Sequence, residues 1–159
     1  MSAAAPKSVL FVCLGNICRS PAAEIIFTHL VEEAGIADAW EIDSAGTLGY
    51  HKGSPPDARM ASALRSKGYR VFGRSRPITR HDLERFDWII TMDEMNFQEV
   101  RLLDESGLFH HKIHPMVGFC RKHDVPAIPD PYAGDQQGFM RVIELLEDGC
   151  AGLLAEISR

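Results

Sequence analysis

Cys13 and Arg19 stand with five residues between them and Ser20 directly after, in the run Cys13, Leu14, Gly15, Asn16, Ile17, Cys18, Arg19, Ser20. With the serine required, chance supplies about 0.02 such arrangements in a chain of this composition. Five residues between a strand and a helix can curl until successive backbone N–H groups face inward, which makes an anion-binding nest at a helix N-terminus. Gly15 and Asn16 are the residues most able to take φ > 0 in that curl. Arg19 closes the ring with a planar fork that can hold two phosphate oxygens. A cysteine at the base of such a positive cup is favoured as the thiolate, the nucleophilic form. The Ser20 hydroxyl can donate to that thiolate, or to the sulfur as it leaves a phosphocysteine. A Walker phosphate loop is excluded, because no Gly-Lys-Ser/Thr occurs.

Such a loop needs a strand before it and a helix after it, and the flanks supply both. Val9 to Val12 is a short apolar, partly β-branched run. After the loop, Pro21 suits a first helical turn, and Ala22, Ile25, Ile26, Leu30 and Val31 follow at helical spacing before Gly35. Trp40 to Ala45 predicts a second strand, Asp57 to Lys67 a helix, and Thr79 to Asp82 a capping box ahead of a short helix. Asp87 to Met92 reads as a buried strand, with Asp93 capping a helix that carries Phe97, Val100 and Leu103. Lys112 to Val117 is a weaker strand candidate, and Gly118 to Gly138 is loop-rich. A last amphipathic helix runs from Phe139 to Ile157, weakened locally by Gly149 and Gly152. Strands alternating with helices predict an α/β fold, a parallel sheet covered on both faces. Ligands bind at the carboxyl ends of strands in such sheets, where the Cys13 loop leaves the first one.

The 159 residues suffice for one domain, 1–159, with 1–7 expected as a flexible N-terminus. A formal net charge of −5 argues against a nucleic-acid binder working through bulk positive charge. No apolar run approaches a membrane span, and Cys13, Cys18, Cys120 and Cys150 read as reduced thiols, so a cytoplasmic location is expected.

The chain resembles the low-molecular-weight protein tyrosine phosphatases, and bacterial members in particular. The likeness rests on the run from Cys13 to Glu24, on Asp43 to Thr47, on Thr91 to Glu94 and on Asp130-Pro131-Tyr132. It implies a three-layer fold with a four-stranded parallel sheet flanked by helices on both faces, the phosphate-binding loop following the first strand. It also implies a two-step hydrolysis of phosphotyrosine in proteins through a phosphocysteine, with no metal and no cofactor. By this resemblance Cys13 is the nucleophile, Arg19 the transition-state clamp, and Asp130 the general acid and then base. Leu14, Gly15, Asn16, Ile17, Cys18 and Ser20 form the rest of the phosphate-binding loop. Ser44 supports Asn16, Tyr50 and Tyr132 are aromatic walls of a deep slot, and Asp43 pairs with Arg76 as scaffold. Cys18 is implied as a redox partner that forms a reversible disulfide with Cys13.

There are departures. Gly73 stands where some relatives carry a bracing histidine, and Ala133 where many eukaryotic members carry a second, regulatory tyrosine. Relatives suggest a monomer or weak homodimer. The alternatives are an arsenate reductase, which needs further redox cysteines, a phosphoarginine phosphatase, against which apolar Ile17 speaks, and a catalytically silent phosphate-binding module. The pairs His111/His114 and Cys120/His123 lie too close together for usual zinc-finger spacing. Seven basic residues from Arg65 to Arg85, against Asp82 and Glu84, read as a solvated face, or as an attractor of acidic phosphopeptides.

Overall fold

A computed structural model describes residues 6–158. Strand β1 (Lys7–Cys13) supplies the centre of the molecule. Its side chains alternate, so Val9, Phe11 and Cys13 enter one hydrophobic cluster while Leu10 and Val12 enter another on the opposite face. That alternation of apolar residues on both faces is what makes β1 a strand covered from both sides. The remaining strands are β2 (Trp40–Gly46), β3 (Trp88–Thr91) and β4 (Ile113–Pro115), in spatial order β2-β1-β3-β4. All pairings are parallel, with Cys13 opposite Gly46 and Val12 opposite Thr91.

Helices α1 (Arg19–Glu33), α2 (Ala58–Ser66) and α5 (Gln136–Ile157) cover the first face, through Ile26, Phe27, Met60, Leu64, Phe139, Val142 and Leu146. Helices α3 (Arg80–Arg85) and α4 (Glu94–Leu103) cover the second, through Leu83 and Val100. The three-layer α/β architecture with four parallel strands is therefore as expected. The chain moves from β1 outward to β2, then returns across it to β3, so the order reverses beside the carboxyl end of β1. That reversal opens a crevice, and the Cys13 loop lies in it.

Local signals hold these elements in place. The Asp57 carboxylate caps α2 by accepting from Arg59 and Met60 N–H, and the Asp82 carboxylate reaches back to Thr79 N–H at 2.8 Å. Lys7 departs from the flexible terminus expected for 1–7. It pairs opposite Trp40 as the first residue of β1 and donates from Nζ to Ile157 O at 3.2 Å. Residues 1–5 of that stretch lie outside the described residues. The strand expected over 112–117 contracts to Ile113–Pro115, because the chain turns into a single 3-10 turn at Met116–Phe119. Helix α5 also starts three residues earlier than its apolar pattern suggests, at Gln136, capped by Asp135.

Gly152 has a packing reason: a Cβ there would stand 1.9 Å from the Phe119 carbonyl oxygen, so glycine lets this turn lie directly on α5. The basic stretch from Arg65 to Arg85 is largely paired, Arg76 with Asp43 and Asp82, Arg80 with Glu105, Arg85 with Glu41, and Lys67 with Glu147. Among the described residues, no helix is long and apolar enough to cross a membrane.

Candidate active site

The loop from Cys13 to Arg19 owes its shape to where its carbonyls go. Cys13 O accepts from Thr47 N–H, Leu14 O from Leu48 N–H and Ile17 O from Asp57 N–H, at 2.8–2.9 Å. In a trans peptide the C=O and the following N–H point opposite ways. With these oxygens bonded outward to the surrounding chain, the N–H groups of Leu14, Gly15 and Cys18 turn to the inside of the curl. Helix α1 starts at Arg19, so its positive end faces the same space.

Asn16 takes the left-handed conformation, φ 57°, and its side chain accounts for how it stays there. Its Oδ1 accepts from Arg76 N–H at 3.0 Å, and its Nδ2 donates to Ser20 Oγ at 2.8 Å and to Ser44 Oγ at 3.0 Å. Gly15 differs from expectation, since it does not adopt φ > 0. Its lack of a side chain matters for room: a Cβ would meet His51 Cδ2 at 3.0 Å.

Inside the curl is a cavity of about 170 Å³ lined by Cys13, Leu14, Gly15, Ile17, Cys18 and Arg19 of the loop, with His51, Asp130 and Tyr132 opposite. Cys13 Sγ lies 3.0 Å from Ser20 Oγ. Arg19 is 2 % exposed, and Nη1 donates to Asp93 Oδ2 at 2.6 Å and to Ile128 O at 3.0 Å. Its Nη2 stands 3.8 Å from Asp130 Oδ2. Burial works to raise the Asp93 carboxyl, but the Asn96 N–H and the Arg19 guanidinium outweigh it and hold the group below the ordinary range. Asp93 is thus a double device. One oxygen caps α4 through Asn96 N–H at 2.9 Å, and the other aims Arg19.

Asp130 is 45 % exposed on its side chain, at the cavity mouth, and accepts from Tyr132 N–H at 3.1 Å. The Tyr132 ring has the Arg59 guanidinium 5.2 Å from its centroid. That guanidinium also lies 4.8 Å from the Phe139 ring and bonds to both oxygens of Asp57. The segment leading to Asp130 is anchored from α5. Asp148 accepts N–H from Arg121, Lys122 and His123 at 3.0 Å each and the His123 ring at 2.8 Å. Burial opposes ionisation of Asp148, but these donors prevail and bring it down to about 2. Burial pushes the Cys18 thiol the other way, up to about 12.

The residues expected at the site therefore divide. Cys13, Leu14, Gly15, Ile17, Cys18, Arg19, Asp130 and Tyr132 meet at the cavity. The side chains of Asn16, Ser20 and Ser44 lie behind the loop, buried and bonded to one another. Asp43 pairs with Arg76, Nη2 to Oδ2 at 3.0 Å. Tyr50 is a correction: it is 86 % exposed and stacks edge-on upon His51, which takes the place expected for it in the cavity wall. Turn hydrogen bonds from Lys52 N–H to Gly49 O and from Gly53 N–H to Ser75 O hold this segment. Sequence reasoning missed His51 altogether and saw Asp93 only as a helix cap. Cys120 and Cys150 lie away from the cavity, donating to Leu145 O and Ala23 O on or against α5 and α1. His123 bonds to Asp148 and His114 packs on Trp88 at 5.1 Å, so the histidine pairs are engaged separately.

A family model described as low molecular weight phosphotyrosine protein phosphatase matches residues 8–159. The human low molecular weight phosphotyrosine protein phosphatase is 39 % identical over 155 residues, 97 % of this chain and 98 % of its own. The crystal structure of YfkJ from Bacillus subtilis superposes with a TM-score of 0.92 at 37 % identity, covering 99 % of this chain and 98 % of that one. A protein tyrosine phosphatase from Entamoeba histolytica, crystallised with Hepes in its active site, gives 0.91 at 42 % identity over 96 % of this chain and 97 % of that one.

Proposed function

The chain belongs to the low molecular weight phosphotyrosine protein phosphatases, a family of cysteine-dependent hydrolases, and from that premise we propose that it hydrolyses phosphotyrosine in proteins through a phosphocysteine. One observation carries the reading: the Cys13 thiol and the buried Arg19 guanidinium of one loop meet the half-exposed Asp130 carboxyl, from a distant part of the chain, at one cavity into which loop amides turn.

In the first step Cys13 Sγ attacks phosphorus in line with the leaving phenol oxygen, forming the S–P bond as the P–O bond breaks. The equatorial oxygens gather charge, which Arg19 and the inward amides of Leu14, Gly15 and Cys18 are already oriented to receive. Asp130 gives its proton to the phenolate, a transfer typically worth about 10²–10⁴ in rate. In the second step the Asp130 carboxylate takes a proton from water. The resulting hydroxide attacks phosphorus, the S–P bond breaks, and the thiolate leaves towards the Ser20 hydroxyl. Cys13 ends as the thiolate and Asp130 protonated again, its proton lost to the phenol having been replaced from water, so the cycle involves no net oxidation or reduction.

The apolar walls, Leu14, Ile17 and the Tyr132 ring, suit an aryl phosphate and so favour phosphotyrosine over phosphoserine, which has no ring to place against them. An arsenate reductase would need a cysteine relay near Cys13, and Cys120 and Cys150 do not line the cavity. Phosphoproteins are the partners this reading requires, with the chain acting as a monomer or weak homodimer in the cytoplasm.

The test compares wild type with Cys13→Ser on p-nitrophenyl phosphate at mildly acidic pH, with reductant and chelator present. Turnover in wild type alone supports the mechanism; equal rates in both overturn it. Phosphotyrosine, phosphoserine and phosphoarginine peptides then fix the substrate, with the first expected to be preferred. Turnover of phosphoarginine alone, or of arsenate alone, would transfer the assignment. Phosphotyrosine binding without turnover in wild type would make the protein a silent binding module.

A further inference from the structure

Behind the loop runs a line of buried side chains that the mechanism uses only at its end. From the sulfur it passes through Ser20 Oγ (3.0 Å), Asn16 Nδ2 (2.8 Å) and Ser44 Oγ (3.0 Å) to Glu24 Oε1 (2.5 Å). Its hydrogens can be counted. The Asn16 amide has two, and each goes to a hydroxyl oxygen. Both serines therefore accept from Asn16, and each has one proton of its own to place. Ser20 has the Cys13 sulfur at 3.0 Å, closer than the Ala45 carbonyl oxygen at 3.4 Å, and Ser44 donates to Glu24. Without an acceptor at Glu24, the Ser44 proton would compete with the Asn16 amide. Asn16 holds the left-handed turn of the loop, φ 57°, a conformation that persists only when its surroundings over-determine it.

We propose that Glu24 is a positioning residue for the Cys13 loop: as the proton acceptor of Ser44, it fixes the Asn16 amide and, through it, the orientation of Ser20 towards the nucleophile. Two further observations support this. Glu24 is a buried carboxyl on the inner side of α1, where an apolar residue would pack at no electrostatic cost. Burial pushes it up to about 7, with Asp43 adding to the rise and Ser44 and Arg76 opposing it.

The turnover part of the test rests on the phosphatase reading, so a second readout is independent of it. Glu24→Met, Glu24→Gln, Ser44→Ala and the double Glu24→Met/Ser44→Ala are compared on p-nitrophenyl phosphate. The same proteins are compared for the rate of Cys13 alkylation by iodoacetate at pH 6, located by mass spectrometry. Glu24→Met and Ser44→Ala should each lower kcat at least tenfold with KM within twofold, and slow alkylation at least fivefold. Glu24→Gln keeps a carbonyl acceptor and should recover both to within threefold of wild type. The double variant should be no worse than Ser44→Ala alone. Normal alkylation in Glu24→Met, multiplicative losses in the double variant, or a Glu24→Gln as impaired as Glu24→Met would each overturn the proposal. Glu24→Leu replaces Glu24→Met if the latter does not fold. A wild type without turnover would sink the phosphatase reading while the alkylation rates still decide this one.

Discussion

Replacing Asp93 by serine and by alanine separates its two jobs. Its Oδ2 lies 2.6 Å from Arg19 Nη1 and its Oδ1 lies 2.9 Å from Asn96 N–H, so alanine removes both contacts. Serine remains a good helix cap but is too short to reach the guanidinium. A hydrogen bond between charged groups is worth about 1.5–3 kcal/mol, and a cap about 1 kcal/mol. Asp93 is 26 % exposed on its side chain and Arg19 keeps the Ile128 carbonyl, so the ion-pair contribution belongs towards the lower end. Asp93→Ser should then lose about 2 kcal/mol and Asp93→Ala about 3 kcal/mol by urea denaturation. The released guanidinium has the Asp130 carboxyl 3.8 Å away as its next anion, which would draw clamp and acid together. If 1.4–2.7 kcal/mol of that aim is lost from the transition state, kcat falls by about 10- to 100-fold. Stopped assays on p-nitrophenyl phosphate, at a urea-free temperature where both variants are folded, measure it. A Asp93→Ser protein with wild-type kcat would refute the claim that this carboxylate aims Arg19. An alanine variant as stable as the serine one would refute the cap.

Three other outcomes follow from the same geometry. Glu24 rises from 4.5 to about 7 on folding, so it stabilises the fold fully below pH 4.5 and ceases to do so as pH climbs through 7. Wild type should lose about 3 kcal/mol between pH 5 and pH 8.5 from this group and Glu24→Gln should not, so parallel stability curves would contradict the assignment. Cys13 and Cys18 line one cavity, and peroxide should link them reversibly; Cys18→Ser should instead carry sulfinic acid at Cys13, as read by mass spectrometry. Arg59 braces the Tyr132 ring against Phe139, so Arg59→Ala should raise KM for phosphotyrosine peptides about threefold to tenfold with little change in kcat, and an unchanged KM would remove that brace from the account.

The sequence was most readable where a chemical demand falls on neighbouring residues. The cup from Cys13 to Ser20, the capping residues Asp82 and Asp93, and the alternating core of β1 all state their purpose within a few positions. Reading failed where the partner is distant. Asp93 serves Arg19 across 74 residues, and nothing beside it in the chain says so. Tyr50 and His51 are adjacent, and nothing in either residue's own chemistry says that it is His51 that lines the cavity. Gly15 was assigned to flexibility when its neighbour's ring required space, and Gly152 looked like a weakness in α5 until the Phe119 carbonyl filled the gap. Lys7 reads as a tail because one lysine carries no pattern, yet its pairing opposite Trp40 makes it part of the sheet.

The nucleophile and the acid stand on different ground. Cys13 ends the strand whose residues Val9 to Val12 are wholly enclosed, the part of the molecule that opens last. Asp130 sits in a stretch without helix or strand, just beyond two pins, Asp148 on the N–H groups of Arg121 to His123 and Ile128 N–H to Met92 O. The hydrogen bond it gives the cup, from Arg19 Nη1 to Ile128 O, is to the backbone, so side-chain substitutions along the stretch can leave the cup in place. Over generations, such a division lets the choice of leaving group drift while the attack on phosphorus is inherited unchanged. It also places the acid and the nucleophile in two regions that amide exchange would resolve into a slow strand and a fast loop.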